Sequence, residues 1–135
     1  MKEQENVQLV QQLFAAFGQG DIPTVLDHLT TDVAWQAVGP ADILPWAGMR
    51  HGREQVGQFF AALGQAVEFQ QFEPREFIAQ GDKVVVLGHS RQSLRSNGRV
   101  VEPDWVMVFT LREGKVTHYQ YYDDTAATVA AFQGA

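Results

Sequence analysis

The 135-residue sequence contains no cysteine, and basic residues are few. Without cysteine, the chain cannot form disulfide bonds, use a thiolate nucleophile or bind a metal through thiolates. Ten Lys and Arg stand against 16 Asp and Glu, which leaves a formal net charge of −6. Because nucleic-acid backbones are bound by clustered positive charge, we expect no nucleic-acid partner.

Long apolar runs are also missing. No run approaches the roughly 18 residues that a membrane-spanning helix needs, and the first eight residues, MKEQENVQ, lack the apolar segment of a signal peptide. We therefore expect a cytoplasmic protein with no membrane partner. The four histidines show no paired spacing that would favour a metal site.

The residues that are present are typical of a globular protein with an enclosed interior. Hydrophobic residues make up 45% of the chain and charged residues 19%. A chain of this length can bury one core without disulfides or metals. We predict a single domain over residues 1–135.

Three amphipathic or capped segments predict helices in the first half. Apolar residues recur at helical spacing over residues 4–17, and the segment from Gly52 to a predicted cap at Gly64 has the same pattern. Between them, Asp21 is placed to cap a short helix. Near the end of the chain, Asp124 is placed to cap a last short helix.

The remaining segments predict strands. The first is expected over residues 33–38, and the others over 67–80, 83–94 and 104–123, the last interval holding two strands joined at a turn. Pro74 marks an edge position or a bulge. Strands that follow one another by hairpins make a mostly antiparallel sheet, and helices at the N-terminal end must cover one of its faces. This predicts an α+β fold in which a strongly curved sheet and three helices enclose a conical pocket.

The last strand carries an acid beside aromatic residues. Strand periodicity places Tyr119, Tyr121 and Asp123 on one face. If that face borders a cavity, desolvation raises the pKa of Asp123 and suits it to acid–base chemistry. Alternatively, Asp123 serves only the start of the last helix.

His89 and Arg91 share one face of the strand 83–94, and two interpretations of that face are open. On the pocket side, Arg91 could bind a carboxylate or enolate and His89 could shuttle protons, which would make both catalytic. On the other side, they would meet solvent or a second subunit.

Aromatic residues are candidates for binding a hydrophobic ligand. The candidates either line the cavity or belong to the core; they are Trp35, Trp46, Trp105, Tyr119 and Tyr121. Trp46 lies in an apolar loop, residues 39–52, which either packs on the core as a lid or lines the ligand site.

Three segments in order carry a family resemblance: AAFGQGDIPTVLDHLTTDVAWQ, LPWAGMRHGREQVGQFFAAL and VFTLREGKVTHYQYYDDTAATVAA. Together they resemble the SnoaL-like branch of the nuclear transport factor 2 superfamily, which also contains ketosteroid isomerase. The resemblance implies a cone-shaped fold with a deep pocket, no metal or other cofactor, a small hydrophobic molecule as ligand and a homodimer formed through the sheet.

The resemblance also separates two functions. Ketosteroid isomerase uses an Asp base with a Tyr and a protonated Asp as oxyanion donors. The matching positions here are at or near Leu13, Ala37 and Met107, which are apolar, so a true ketosteroid isomerase is not expected. In SnoaL-like cyclases, by contrast, an acid ends the last strand, and Asp123 matches it.

The resulting hypothesis is a cofactor-independent isomerase, cyclase or dehydratase acting on a hydrophobic carbonyl compound. Asp123 is the acid/base, and Tyr119, Tyr121 or Arg91 stabilise the developing oxyanion. The substrate-binding candidates are Trp35, Trp46, Trp105, Met107, Tyr119 and Tyr121. The alternative is a binding or dimerisation module with the same fold and no catalysis.

Overall fold

A computed structural model describes residues 2–134. Its four helices are α1 (Lys2–Gly18), α2 (Ile22–Asp27), α3 (Gly52–Ala66) and α4 (Thr125–Phe132). Its strands are β1 (Leu29–Ala37), β2 (Gly48–His51), β3 (Val67–Gln80), β4 (Lys83–Leu94), β5 (Val100–Val101), β6 (Asp104–Arg112) and β7 (Lys115–Tyr122).

The helices begin and end close to the predicted signals. The Asp21 side chain accepts a hydrogen bond from the Thr24 backbone N–H at 3.3 Å and so caps α2. The predicted cap at Gly64 is wrong, because α3 continues to Ala66 and passes directly into β3 at Val67. Helix α1 buries a stripe that includes Val10, as its apolar spacing predicted.

The strands form a mostly antiparallel sheet with the order β2-β1-β7-β6-β4-β3, and β5 pairs with β4 beside this path. The exception is the parallel pairing of β1 with β7. This arrangement confirms the predicted α+β fold, with a curved, unclosed sheet and N-terminal helices. The edge position of β3 and its register shift between Pro74 and Glu76 confirm the interpretation of Pro74.

Two segments extend the sheet beyond the prediction. Strand β1 starts at Leu29 rather than Val33, and its register against β7 shifts between Leu29 and Ala34. The residues just before the predicted strand are therefore an irregularly paired part of it. Part of the apolar loop also forms β2, which pairs with β1 and is exposed at Met49.

The core lies between the helices and one face of the sheet. Along β4 the buried positions alternate strictly, so that Val84, Val86, Ser90 and Gln92 face inward. Helix α1 contacts β3 and β4, whereas α3 contacts β1 and covers the other half of this face. Among residues 2–134, no helix is both long and apolar enough to cross a membrane.

Candidate functional site

A cavity of about 80 Å³ lies between the helices and the inner face of the sheet. Its walls are mainly aliphatic and aromatic side chains from α1, α3 and the inward positions of the strands. Of the predicted ligand-binding residues, Trp35, Trp46, Met107, Tyr119 and Tyr121 line it. The fold therefore brings together five residues that lie far apart in the sequence.

Trp105 is the predicted ligand-binding residue that does not line the cavity. Its ring is only 1% exposed and stacks on Phe72, with ring centroids 5.2 Å apart and an interplanar angle of 17°. Its indole N–H donates to the Ser90 hydroxyl oxygen at 2.7 Å. Trp105 is therefore a core residue, and its polar atom is satisfied within the core.

Parallel aromatic rings form one wall of the cavity. Trp35 of β1 and Tyr119 of β7 stack with centroids 3.8 Å apart and an interplanar angle of 16°. This contact follows from the β1–β7 pairing, in which the two residues are register partners. The site therefore depends on a parallel strand pair that no local sequence signal announces.

Asp123 lies just beyond β7 and is linked to the cavity by Tyr121. The Tyr121 hydroxyl donates to the Asp123 carboxylate at 2.8 Å, and Tyr121 itself lines the cavity. Burial raises the pKa of the half-buried Asp123; the Tyr121 hydrogen bond acts in the opposite direction, and the charge of Asp124 adds to the increase. Asp123 is thus a carboxyl group close to the cavity, and its pKa is raised.

The two interpretations of Asp123 are distinguished by its neighbour. The Asp124 side chain accepts a hydrogen bond from the Ala127 backbone N–H at 3.3 Å and caps α4. The side chain of Asp123 instead points to Tyr121. The capping role therefore belongs to Asp124.

Tyr119 and Tyr121 stay neutral. Burial raises the pKa of Tyr119 and Tyr121, and the charge of Asp123 raises both further. A neutral phenol can donate one hydrogen bond and accept others. Their hydroxyls are therefore suited to hold or pass a proton in an apolar surrounding.

His89 and Arg91 lie on the opposite, outward face of β4. His89 Nδ1 lies 2.8 Å from a carboxylate oxygen of Asp104, and Arg91 donates to Glu102 at 3.1 Å. Neither residue lines the cavity. The prediction that they share a catalytic site with Asp123 is corrected, because strand alternation turns them away from it.

The inward residues on this part of β4 are Ser90 and Gln92, which the sequence reasoning missed. Both are at least 95% buried and line the cavity, with exposures of 1% and 5%. The alternation that would have identified them is masked by the neighbouring run of Val84 to Leu87, which is apolar at every position. A strand with apolar residues on both faces does not reveal which face is inward.

The apolar loop before α3 combines its two predicted roles. Trp46 lines the cavity, and its ring centroid lies 5.7 Å from that of Phe132 in α4. Leu44 is buried in the core. Arg50 fixes this segment by donating to the Trp46 backbone carbonyl at 2.6 Å. The loop thus closes the core and forms one wall of the cavity.

The α+β cone and its apolar cavity define a protein of the nuclear transport factor 2 type. Residues 10–119 match the SnoaL-like domain family, so the chain belongs to that family. No curated protein matches the sequence. Within the part of the chain that is described, no group of three or more His, Asp or Glu side chains is placed to hold a metal.

Solved structures agree with this assignment over nearly the whole chain. An NTF2-like protein from Burkholderia xenovorans LB400 is 37% identical, with a TM-score of 0.87 and coverage of 96% of this chain and 97% of that one. An NTF2-like protein of unknown function from Burkholderia pseudomallei K96243 is 30% identical, with a TM-score of 0.86 and coverage of 93% and 95%. TerC, co-crystallised with polyporic acid, is also 30% identical, with a TM-score of 0.85 and coverage of 96% and 98%.

Proposed function

We propose that this SnoaL-like protein is a cofactor-independent isomerase, cyclase or dehydratase that moves a proton on a hydrophobic carbonyl compound. The observation that carries the proposal is the Tyr121–Asp123 pair, with a 2.8 Å hydrogen bond and a raised Asp123 pKa at the edge of an apolar cavity. A raised carboxyl pKa is the property that acid–base catalysis near neutral pH requires. The co-crystallisation of TerC with polyporic acid supports a small-molecule ligand.

The geometry favours a relay through the phenol. Tyr121 lines the cavity and Asp123 does not, so in this relay the substrate meets the Tyr121 oxygen rather than the carboxylate. As the substrate C–H bond breaks, its proton bonds to this oxygen and the original phenolic proton passes to Asp123. The C–H electron pair moves toward the carbonyl, giving an enolate that is reprotonated by the reverse path.

The developing enolate oxygen needs a hydrogen-bond donor in the cavity. The Tyr119 hydroxyl is available for this role, because it lines the cavity as a neutral phenol. Such donors act strongly in apolar surroundings and commonly provide the largest catalytic contribution. The positions that match the ketosteroid isomerase apparatus, Leu13, Ala37 and Met107, line the cavity as apolar residues, so the proposed reaction does not use that apparatus.

A second candidate is a module that binds a small apolar molecule without transforming it. The apolar residues at Leu13, Ala37 and Met107 favour this alternative, because none of them can take part in proton transfer. The cavity of about 80 Å³ is well below the roughly 300–1,000 Å³ of ordinary ligand sites, which limits the size of the ligand for either candidate. A large substrate requires the side chains that close the cavity to move. Binding without proton transfer would need neither Asp123 nor its raised pKa.

Proton exchange in D₂O distinguishes the two candidates. The protein is incubated with a panel of enolisable aryl ketones, and deuterium incorporation at the α-carbon is followed by NMR. We expect exchange with the wild-type protein, and a loss of about 10²- to 10⁴-fold in Asp123→Asn, which removes the general base.

Asp124→Asn is the matched control, because it changes the adjacent acid while preserving a capping side chain. Its exchange rate should stay much closer to the wild-type rate than that of Asp123→Asn does, because the charge of Asp124 is the smallest of the three effects on the Asp123 pKa. Equal exchange by Asp123→Asn and the wild-type protein would contradict catalysis by Asp123. Ligand binding without exchange would favour the binding module.

A further inference from the structure

The cavity contains a polar strip that the Tyr121–Asp123 pair does not use. Ser90 and Gln92 lie two residues apart on the inward face of β4, about 7 Å along the strand. Both side chains line the cavity. The rest of its lining is apolar except for the indole N–H groups of Trp35 and Trp46 and the hydroxyls of Tyr119 and Tyr121.

The Gln92 side chain is the polar group in this strip that lacks a partner. Although Gln92 is only 5% exposed, its amide makes no hydrogen bond to any other residue within 2–134. Within residues 2–134, the Gln92 amide is not one of the fully enclosed side-chain polar atoms without a partner, so it is open to the cavity that the residue lines. The amide therefore has a donor and an acceptor to offer to a molecule in the cavity.

The backbone holds Gln92 in a defined place. It is paired with Phe69 of β3 on one side and Val101 of β5 on the other. Side chains on such a central strand position are more exactly placed than those on loops. The strand pairing therefore fixes the point from which the Gln92 side chain enters the cavity and the face on which it lies.

Ser90 can also donate a hydrogen bond to a molecule in the cavity. Its oxygen accepts the Trp105 indole N–H at 2.7 Å, so its own hydroxyl proton remains to be donated. No Lys, Arg or His side chain lines the cavity within residues 2–134. Burying a charged ligand there would be costly, since no opposite charge would compensate its lost hydration.

We infer that Ser90 and Gln92 are the specificity-determining contacts for an uncharged carbonyl compound, whose oxygen they bind at β4. Met107 of β6 pairs with both Val86 and Tyr121, so Ser90 and Gln92 lie four and six residues further along β4 than the position level with Tyr121. The compound bound at this strip therefore lies on the side of the cavity where β5 pairs with β4. The inference rests on the proposed function only in taking the cavity as the ligand site, and it holds for an enzyme and for a binding module alike.

Matched probes test the contact at Gln92. Acetophenone and ethylbenzene share an aromatic ring and a two-carbon substituent, but only the first carries a carbonyl oxygen. Dissociation constants are measured by NMR titration for the wild-type protein, Gln92→Met and Gln120→Met. Gln120 is a suitable control, because it lies half-buried on the outward face of β7.

We expect Gln92→Met to weaken acetophenone binding by about 5- to 100-fold, the loss of one buried hydrogen bond, and to leave ethylbenzene binding unchanged. Gln120→Met should change neither. In the wild-type protein, the side-chain amide signals of Gln92, assigned by their absence in Gln92→Met, should shift on addition of acetophenone but not of ethylbenzene. Benzoate should bind much more weakly than acetophenone.

Several outcomes would overturn the inference. These are no acetophenone binding to the wild-type protein, equal weakening of both probes by Gln92→Met, or benzoate binding as tight as that of acetophenone. Because each probe serves as the internal reference for the other, general damage to the fold cannot imitate the expected result. If Gln92→Met behaves as expected while Asp123→Asn retains proton exchange, the binding site stands and the catalytic role of Asp123 falls.

Discussion

Asp123 experiences opposing effects at the residue scale. Burial favours its neutral form, whereas the hydrogen bond from Tyr121 favours the carboxylate, and burial is the larger effect. The folded protein therefore binds this proton more tightly than the unfolded chain does. Stability consequently falls as the pH rises from the unfolded pKa, near 4, to the higher folded pKa, and it stays lower above that window.

We predict that Asp123→Asn is more stable than the wild-type protein at pH 7, because it removes a charge that is costly to bury while keeping an oxygen that can accept the Tyr121 hydroxyl. The advantage should shrink as the pH falls through the folded pKa and be smallest below about 4, where the wild-type carboxyl is protonated in both states. Thermal unfolding over this pH range measures the difference. An advantage that does not vary with pH would show that Asp123 is not desolvated.

At the scale of the elements, the packing of β4 beside β6 requires a glycine next to the Trp105 ring. Gly88 and Trp105 are register partners, and a Cβ added to Gly88 would lie 2.2 Å from Trp105 Cζ2. Trp105 cannot move freely, because it stacks on Phe72 and donates to Ser90. Gly88 is therefore required by close packing rather than by backbone conformation.

We predict that Gly88→Ala lowers the free energy of unfolding by about 1–3 kcal/mol, the usual cost of overpacking. Gly64→Ala in the last turn of α3 is the control, since nothing lies within 4 Å of its added Cβ. That change should raise stability by up to about 1 kcal/mol, because alanine favours the helix. Urea denaturation measures both. Equal stability of Gly88→Ala and the wild-type protein would contradict the packing argument.

At the scale of the whole molecule, the outward face of the sheet carries a continuous apolar surface. The strand registers place Leu87 beside Val106 and Val106 beside Tyr122, and Val85 beside Val108 and Ile78. Ile78 is 53% exposed and Tyr122 is 40% exposed. Burying such a surface between two copies would remove apolar area from water. We therefore propose a homodimer through this face.

We predict a dimer by sedimentation at micromolar concentration, and a shift to monomer in Val106→Lys, which places a charge in the centre of the apolar surface. Gln12→Lys on the exposed side of α1 adds the same charge outside that surface and should remain dimeric. A wild-type protein that sediments as a monomer would remove the proposal.

The sequence by itself determined the elements and their class. Helical spacing identified α1, the capping residues Asp21 and Asp124 identified two helix starts, and alternation and turn residues identified the strands of the meander. These signals are local, because they depend on contacts within a few residues. The same locality connected Tyr121 and Asp123, which lie two positions apart on one face.

Only the tertiary structure decided which residues form the site. The pairing of β1 with β7 brought Trp35 onto Tyr119, although they are distant in the chain. The place of β4 in the sheet turned Gln92 inward and Arg91 outward, a choice that a strand with apolar residues on both faces leaves open. Local patterns define what each segment becomes, whereas the face it buries is set by the segments that pack against it.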